Sequence, residues 1–455
     1  VQNDRYGIHP AFWFADDDRF CIAANTIDVQ EVCDTSEPDD DAIAAFLRLG
    51  FFLGDDTPFR RIRALSPGSD LTWSPGELKC DTTRRWTFPE PTKLSRPAAR
   101  REFGCLFQEA VEALWQEGVH CVPLSGGQDS RHILLALLEA GHRPDFVATL
   151  ESPPPRINTD VETARRLTAE LNLPHRIFRQ TPDVLSRELR KNRMTGLCAD
   201  EHAWFLPLAD FCHQQRVSRV WDGLAGDYLS SGRVLEPQWL QWFRSGDLEP
   251  LAEVLLGDEG YLPKMLTPDN YHRWNRDVAR RRLLTELDLH RSAPNPVLSF
   301  FFCNRVRREL ALAPFSLMAQ RTAVTTPYLD RKVFDLLVSL PTEMMLDQQF
   351  HMETIREFYP WMPDVPFLSI SKFGSDLVPR SVIRRFCREL AAYSLRPISG
   401  SRLVRRDFLI PRLLKGCVSR TFGSLLPISL SRLIVLLQLE DILNINRPAD
   451  APAGA

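Results

Sequence analysis

An α/β fold built on a doubly wound parallel sheet is predicted from three features of the chain. Short apolar runs alternate with amphipathic helical stretches between about residues 98 and 221. Two of those runs end in glycine-bearing loops that carry a carboxylate, and the pattern after about residue 235 is mostly helical. In such a sheet, ligands bind at the carboxyl ends of the strands. The two loops are therefore where chemistry is expected.

The first loop lies in Val122-Pro-Leu-Ser-Gly-Gly-Gln-Asp-Ser130 and opens directly into the apolar helical run 131–139. A helix start supplies free backbone N–H groups and the positive end of a dipole, which suit a phosphate. After Leu124, Gly126 and Gly127 would let the backbone approach an anion without Cβ clashes, while Ser125 and Ser130 offer hydroxyls. Asp129 is the informative residue. A carboxylate facing phosphates repels them unless a divalent cation lies between, so it implies Mg²⁺. No lysine follows the glycines and no G-x-G-x-x-G occurs, so neither common nucleotide loop is present. The plain alternative is a glycine turn before a buried helix.

Taken in order, residues 1–90 are rich in short β-like runs. Ala11–Phe14 and Phe20–Ala23 flank an acidic turn and read as a hairpin; Leu71–Trp73 and Glu77–Lys79, each preceded by Pro-Gly, read as a second. A proline-bearing linker, 89–97, precedes a helix over 98–117, whose apolar residues recur at three and four spacing from Phe103 to Leu114. Phe146–Thr149 reads as the next strand, with Thr149 a candidate nucleotide contact at its end. Thr159-Asp-Val-Glu162 has the form of a capping box opening a helix through Leu171. Arg176–Arg179 reads as a strand, 182–215 as a helical span, and Val217–Trp221 as a further strand.

That last strand leads into Asp222-Gly-Leu-Ala-Gly-Asp227, the second glycine loop. Asp129 and Asp227 on neighbouring strand-end loops would share one Mg²⁺, with Asp222 and Gly223 beside the nucleotide. Alone, the segment is also what a simple Asp-Gly turn looks like.

The bulk properties are those of a soluble globular protein, with 44% hydrophobic and 25% charged residues and a net charge of −3, which gives no global attraction to nucleic acid. The ten cysteines are scattered without a C-x-x-C pair, so reduced thiols in a cytoplasmic setting are expected. No signal peptide or integral membrane segment is read; 425–439, interrupted by Pro427 and Arg432, reads as a buried or amphipathic helix. Residues 371–432 hold thirteen Lys or Arg against three acids, net about +10, and are expected to pair with acids elsewhere rather than face lipid or nucleic acid.

With both loops in view, the chain resembles the asparagine synthetase family over nearly all of its length. Residues 125–130 match the family's S-G-G-x-D-S, the pyrophosphate loop of ATP pyrophosphatases, and 222–227 align with S-G-E-G-x-D-E through Gly223 and Asp227. Thr326-Pro-Tyr-Leu-Asp330 resembles V-P-F-L-D, and Lys372-Phe-Gly374 resembles the late K-x-G segment. Asn3–Pro10 is similar to R-D-x-x-G-x-x-P, and Phe59–Gly68 to the F-x-x-I-x-x-L-x-P-G segment that closes a glutaminase domain. The resemblance implies a sheet of the ATP pyrophosphatase (adenine nucleotide alpha hydrolase-like) type with C-terminal helices over 95–455. It would be preceded over 1–90 by the β-rich end of an N-terminal-nucleophile glutaminase-like domain. The family's nucleophilic cysteine lies about a hundred residues before R-D-x-x-G. With Val1 as first residue, the chain is expected to be a fragment of a longer polypeptide, and glutamine hydrolysis is assigned to no residue present.

The implied reaction is adenylation of a small-molecule or peptide carboxylate by ATP, release of pyrophosphate, and attack by an amine, with nitrogen from glutamine or ammonia. Lys372 would contact the pyrophosphate, and a homodimer is admitted. Glu309 aligns with an acidic residue that works with a tyrosine as base in β-lactam synthetases; as a bare feature, beside Arg307 and Arg308, it also reads as a surface ion pair. The chain departs from the family at Leu224, where a glutamate or tyrosine is found, and at Tyr228, Ala323, Thr325 and Ile370. Nucleotide chemistry is kept, whereas the acceptor side differs. Intramolecular or peptide cyclisation, as in β-lactam synthetases or lasso-peptide cyclases, is thus the alternative. A non-catalytic nucleotide-binding relic is the remote one.

Overall fold

The computed structural model of the chain describes residues 1–81, 83–320, 322–368, 374, 377–398 and 402–445. Near the N-terminus, β1 (Phe12–Ala15) pairs antiparallel with β2 (Phe20–Ala23) and β3 (Arg63–Ala64), and β4 (Asp70–Ser74) pairs with β5 (Glu77–Asp81). Both hairpins fall where the turn residues put them. Helices α1 (Thr26–Cys33) and α2 (Asp40–Leu49) complete this region; α2 is N-capped by Asp39, which accepts from the Ala42 N–H at 3.1 Å.

Beyond α3 (Arg96–Leu114), strand and helix alternate. The order is β6 (His120–Pro123), α4 (Asp129–Glu139), β7 (Phe146–Leu150), α5 (Thr159–Glu170), β8 (His175–Phe178), α6 (Val184–Met194), α7 (Leu206–Gln214) and β9 (Arg219–Trp221). With β10 (Ala323–Thr325), these strands form one parallel sheet in the order β10-β9-β6-β7-β8. The chain runs outward from β6 through β7 to β8, then returns to β6's other side for β9 and β10. The strand order therefore reverses between β6 and β9, and a crevice opens there at the strands' carboxyl ends. Both glycine loops flank that crevice.

Several expectations need correction. The fifth strand, β10, has only three residues and is not among the strands the sequence predicts. The 182–215 span is broken into α6, a single 3-10 turn (Ala203–Phe205) and α7. Helix α5 starts where expected, but its N-cap is Asn158, and no side chain caps it; Asn158 Oδ1 instead accepts the Ser152 N–H at 2.6 Å. Residues Phe302–Leu310 and Ala313–Met318 are wound as π-helices.

One buried apolar cluster runs from Tyr6 to Leu439, so the N-terminal region and the rest share a core. Ion pairs cross the same boundary: Arg5–Asp335 at 2.7 Å, Arg48–Glu259 at 2.7 Å and Arg307–Asp55 at 2.6 Å. In the basic C-terminal stretch, Arg396, Arg406 and Arg432 pair with Asp441, Glu440 and Asp200, as expected of arginines that complement acids elsewhere. All ten cysteines are free thiols. Among the described residues no single helix is long and apolar enough to cross a membrane; one pair, Arg420–Pro427 and Ser431–Leu443, bent by 56°, passes on length and composition together.

Candidate functional site

A cavity of about 420 Å³ lies at the switch point, lined by Ser125, Gly127, Asp129, Ser130, Asp222, Gly223 and Asp227 together with residues from other elements. Sequence reasoning thus names most of its floor. The loop is braced from within: the Ser130 hydroxyl accepts the Ser125 N–H at 3.1 Å, and the Ser125 hydroxyl accepts the Gly127 N–H at 3.2 Å. The first turn of α4 has no side-chain cap on its N–H groups.

Three predicted contacts behave differently from expectation. The Gly126 N–H is taken by Asp160 Oδ1 at 2.7 Å, so this donor is not open to a phosphate. The Thr149 hydroxyl donates to the Leu124 carbonyl at 2.9 Å and meets His175 Nε2 at 2.8 Å. Leu124 and Thr149 therefore shape the cavity wall, with their polar groups committed to each other. Lys372 lies outside the described residues. Its flanks are anchored at the site: the Leu368 N–H donates to the Gly126 carbonyl at 2.8 Å, and the Gly374 N–H to the Pro155 carbonyl at 2.8 Å.

The carboxylates carry the electrostatics. Burial pushes Asp129 up to about 7, and burial together with the Asp129 charge pushes Asp227 up to about 6. Asp222 is raised to about 6 by burial, although its Oδ1 accepts the Leu224 N–H at 2.8 Å, the turn its sequence also suggested. Asp129 Oδ1 is buried without a hydrogen-bond partner, and Asp227 is held by Arg233. Behind Asp129, the Tyr328 hydroxyl donates to the Asp129 carbonyl at 3.2 Å and meets His351 Nε2 at 3.2 Å. His351 Nδ1 lies 3.4 Å from Asp129 Oδ1, and burial holds this imidazole down at about 3, so a neutral ring faces the carboxylate.

This donor set fits Mg²⁺. An orphaned buried carboxylate oxygen beside a second carboxylate is a place for a hard cation, and the raised values show the cost of leaving both charged without one. Among the described residues no three His, Cys, Asp or Glu side chains converge as a self-sufficient metal cage. Two carboxylates completed by phosphate oxygens and water are how Mg²⁺ is held with a nucleotide.

Sequence reasoning missed several lining residues: Asp160, Trp204, Ser231, Arg233 and Gln348. Only Arg233, six residues past Asp227, left a local signal as a cation following the acidic loop. A second cavity of about 770 Å³ adjoins the first and shares Trp204 with it; Asp200, Glu201, Arg187 and Tyr261 line its walls.

Glu309 does not line either cavity and is not a surface ion pair. It is 2% exposed on the π-helix Phe302–Leu310, and its neighbours turn elsewhere, Arg307 to Asp55 and Arg308 to the Asp56 carbonyl. Neither Glu309 oxygen makes a hydrogen bond; His202 Nδ1 stands 2.9 Å from Oε1, but the geometry makes no hydrogen bond between them. Leu224, within the second loop, is buried in the core, and Tyr228, just after it, packs partly buried against that core.

The fold and crevice define an α/β protein with an acidic cleft at the sheet's switch point. No protein-family model matches the chain, and no curated protein matches it.

Proposed function

We propose that the chain is an ATP-dependent amide-forming ligase: it adenylates a carboxylate with release of pyrophosphate, and an amine then displaces AMP, as in asparagine synthetases. The observation that carries this reading is the pairing of Asp129 and Asp227 across the switch point, on two glycine loops that close one cavity. The resemblance of 125–130 and 222–227 to the family's two nucleotide motifs supports it, as does the α/β sheet itself.

The chain's residues divide the work by position. The uncapped first turn of α4 would hold the pyrophosphate portion of ATP in line with the attacking carboxylate. Mg²⁺ on Asp129 and Asp227 would neutralise the charge that builds on the leaving pyrophosphate. Arg233 stands beside Asp227 and adds positive charge on that side; the family resemblance assigns Lys372 to the pyrophosphate as well. Four acids, Asp129, Asp160, Asp222 and Asp227, line the cavity, so a nucleotide would bind poorly without its metal.

A second reading, cyclisation of a larger substrate, is favoured by one observation. The cavity of about 770 Å³ beside the nucleotide site has room for an acceptor larger than ammonia. Pyrophosphate release from ATP, measured against a panel of amino-acid and peptide carboxylates with ammonium or an internal amine, tests both. Release with a free acid and ammonium supports the first reading, release only with a substrate bearing its own amine supports the second, and no release with any acceptor refutes both.

A further inference from the structure

Among the described residues, Arg233 is the only Lys or Arg that lines the nucleotide cavity, where it faces four aspartates, Asp129, Asp160, Asp222 and Asp227. Its backbone is pinned. Gly232 before it is left-handed, φ 66°, and a Cβ there would stand 2.2 Å from the Met345 carbonyl oxygen. The Ser231 hydroxyl donates to the Asp227 carbonyl at 2.5 Å and accepts the Arg233 N–H at 3.3 Å, which closes the turn between the two charged residues. The guanidinium, by contrast, is held by a single group. It donates to Asp227 Oδ2, has no other partner among the described residues, and leaves 50% of the side chain open to solvent.

An ion pair this open is weak and exchanges readily. Arg131 on α4 is the opposite case: it is fully buried and spent on two carbonyls and the Phe367 ring. In the empty cavity Arg233 is the counter-charge of Asp227, in the place a cation would take. Burial raises both Asp129 and Asp227, and the Arg233 charge draws both back down. A divalent cation on the two carboxylates becomes the largest charge in the site, repels the guanidinium and takes over its partner. The released side chain still stands at the wall of a cavity that then holds phosphate oxygens, and the guanidinium fork suits a pair of them.

We infer that Arg233 changes partners as the site loads; this rests on the adenylation reading above. In the empty cavity it neutralises Asp227. Once Mg²⁺ holds Asp129 and Asp227, it binds the pyrophosphate portion of the nucleotide. The same residue therefore does opposite things to two ligands: it competes with the bare cation and cooperates with the cation–pyrophosphate pair. The cation is thus taken up mainly together with its phosphates.

The test measures binding to the whole chain by isothermal titration calorimetry, with Mg²⁺ alone, Mg²⁺–pyrophosphate and AMP as probes. Arg233→Gln changes a half-exposed side chain, so the variant should fold, and its Tm checks that it does. We expect its affinity for Mg²⁺ alone to rise about threefold and its affinity for Mg²⁺–pyrophosphate to fall about 10-fold. Affinity for AMP, which lacks the departing phosphates, should hold. Arg233→Lys should keep the weak affinity for the bare cation and recover only part of the pyrophosphate affinity, because an ammonium cannot fork. Arg244→Gln, at an exposed arginine on the helix Pro237–Ser245 outside the cavity, should change none of the three. In Arg233→Gln, a fall for both magnesium probes, as from a merely structural arginine, overturns the exchange of partners. So does a rise for both, as from a competitor alone, or no change in either. Carboxylate-dependent ATP–pyrophosphate exchange by the unaltered protein tests the reading beneath it. Opposed shifts without exchange overturn adenylation and leave the Arg233 assignment standing; exchange without opposed shifts overturns the Arg233 assignment alone.

Discussion

Gly226 lies so close to Asp129 that a methyl group added at 226 would stand 2.5 Å from the Asp129 Cγ and 2.6 Å from its Oδ1. Gly223 presses on the same side chain, where a Cβ would come within 2.9 Å of the Asp129 Cβ. The second loop therefore fixes where the first loop's carboxylate points, and glycine is required for lack of room. Gly226→Ala should displace Asp129 by a few tenths of an ångström or more and lower pyrophosphate release about 100-fold. The cost in stability should be about 1–3 kcal/mol, read by denaturant unfolding. A variant with unchanged turnover would mean that Asp129 is not positioned by this contact.

Metal affinity should depend on pH. Both carboxylates are raised, Asp129 to about 7 and Asp227 to about 6, so the metal-free protein favours their protonated forms. The stability this lends is present at low pH and is lost as pH rises through those values. Cation binding needs the charged forms and strengthens over the same window. Mg²⁺ with pyrophosphate should therefore raise the Tm more at about pH 8 than at about pH 5.5. An equal shift at both would argue against these two residues as ligands.

Asp129→Asn should separate binding from folding. It removes one of two like charges in a buried site, so without metal at about pH 8 the Tm should hold or rise by about 2 °C or more. Mg²⁺-dependent stabilisation and turnover should both be lost. A metal response equal to that of the unaltered protein would refute the assignment.

The strap that precedes Lys372 is held by Arg131 on α4, whose guanidinium donates to the Val365 carbonyl at 2.5 Å and the Pro366 carbonyl at 2.9 Å and lies 4.0 Å from the Phe367 ring centroid. Arg131→Met fills similar space but leaves two carbonyls without donors, at about 1–3 kcal/mol each. Its KM for ATP should rise by more than its kcat falls, because the strap packs on Gly126 rather than on reacting atoms. Steady-state kinetics checks this, and a fall in kcat alone would place the strap's role in chemistry instead.

Local chemistry was legible in the sequence where a single segment builds it. The run into Val122, the glycine turn and the apolar helix after Asp129 form one βα junction, and Val217–Asp227 announces a second by the same logic. Convergence was not legible. Asp160 and Gln348 reach the cavity from α5 and from the turn before Phe350, far apart in the chain. The π-winding that buries Glu309 leaves no periodic trace, since its nine residues include three arginines, of which Arg307 and Arg308 read as a solvated face until Asp55 and the Asp56 carbonyl claim them.

The most direct test of adenylation follows the oxygen atoms. With a carboxylate substrate labelled with oxygen-18, attack on the α-phosphorus carries one labelled oxygen into AMP when the amide forms. Mass spectrometry of the nucleotide product should find AMP bearing one labelled oxygen, with pyrophosphate unlabelled. Unlabelled AMP, or ADP and inorganic phosphate as the products, would contradict the account.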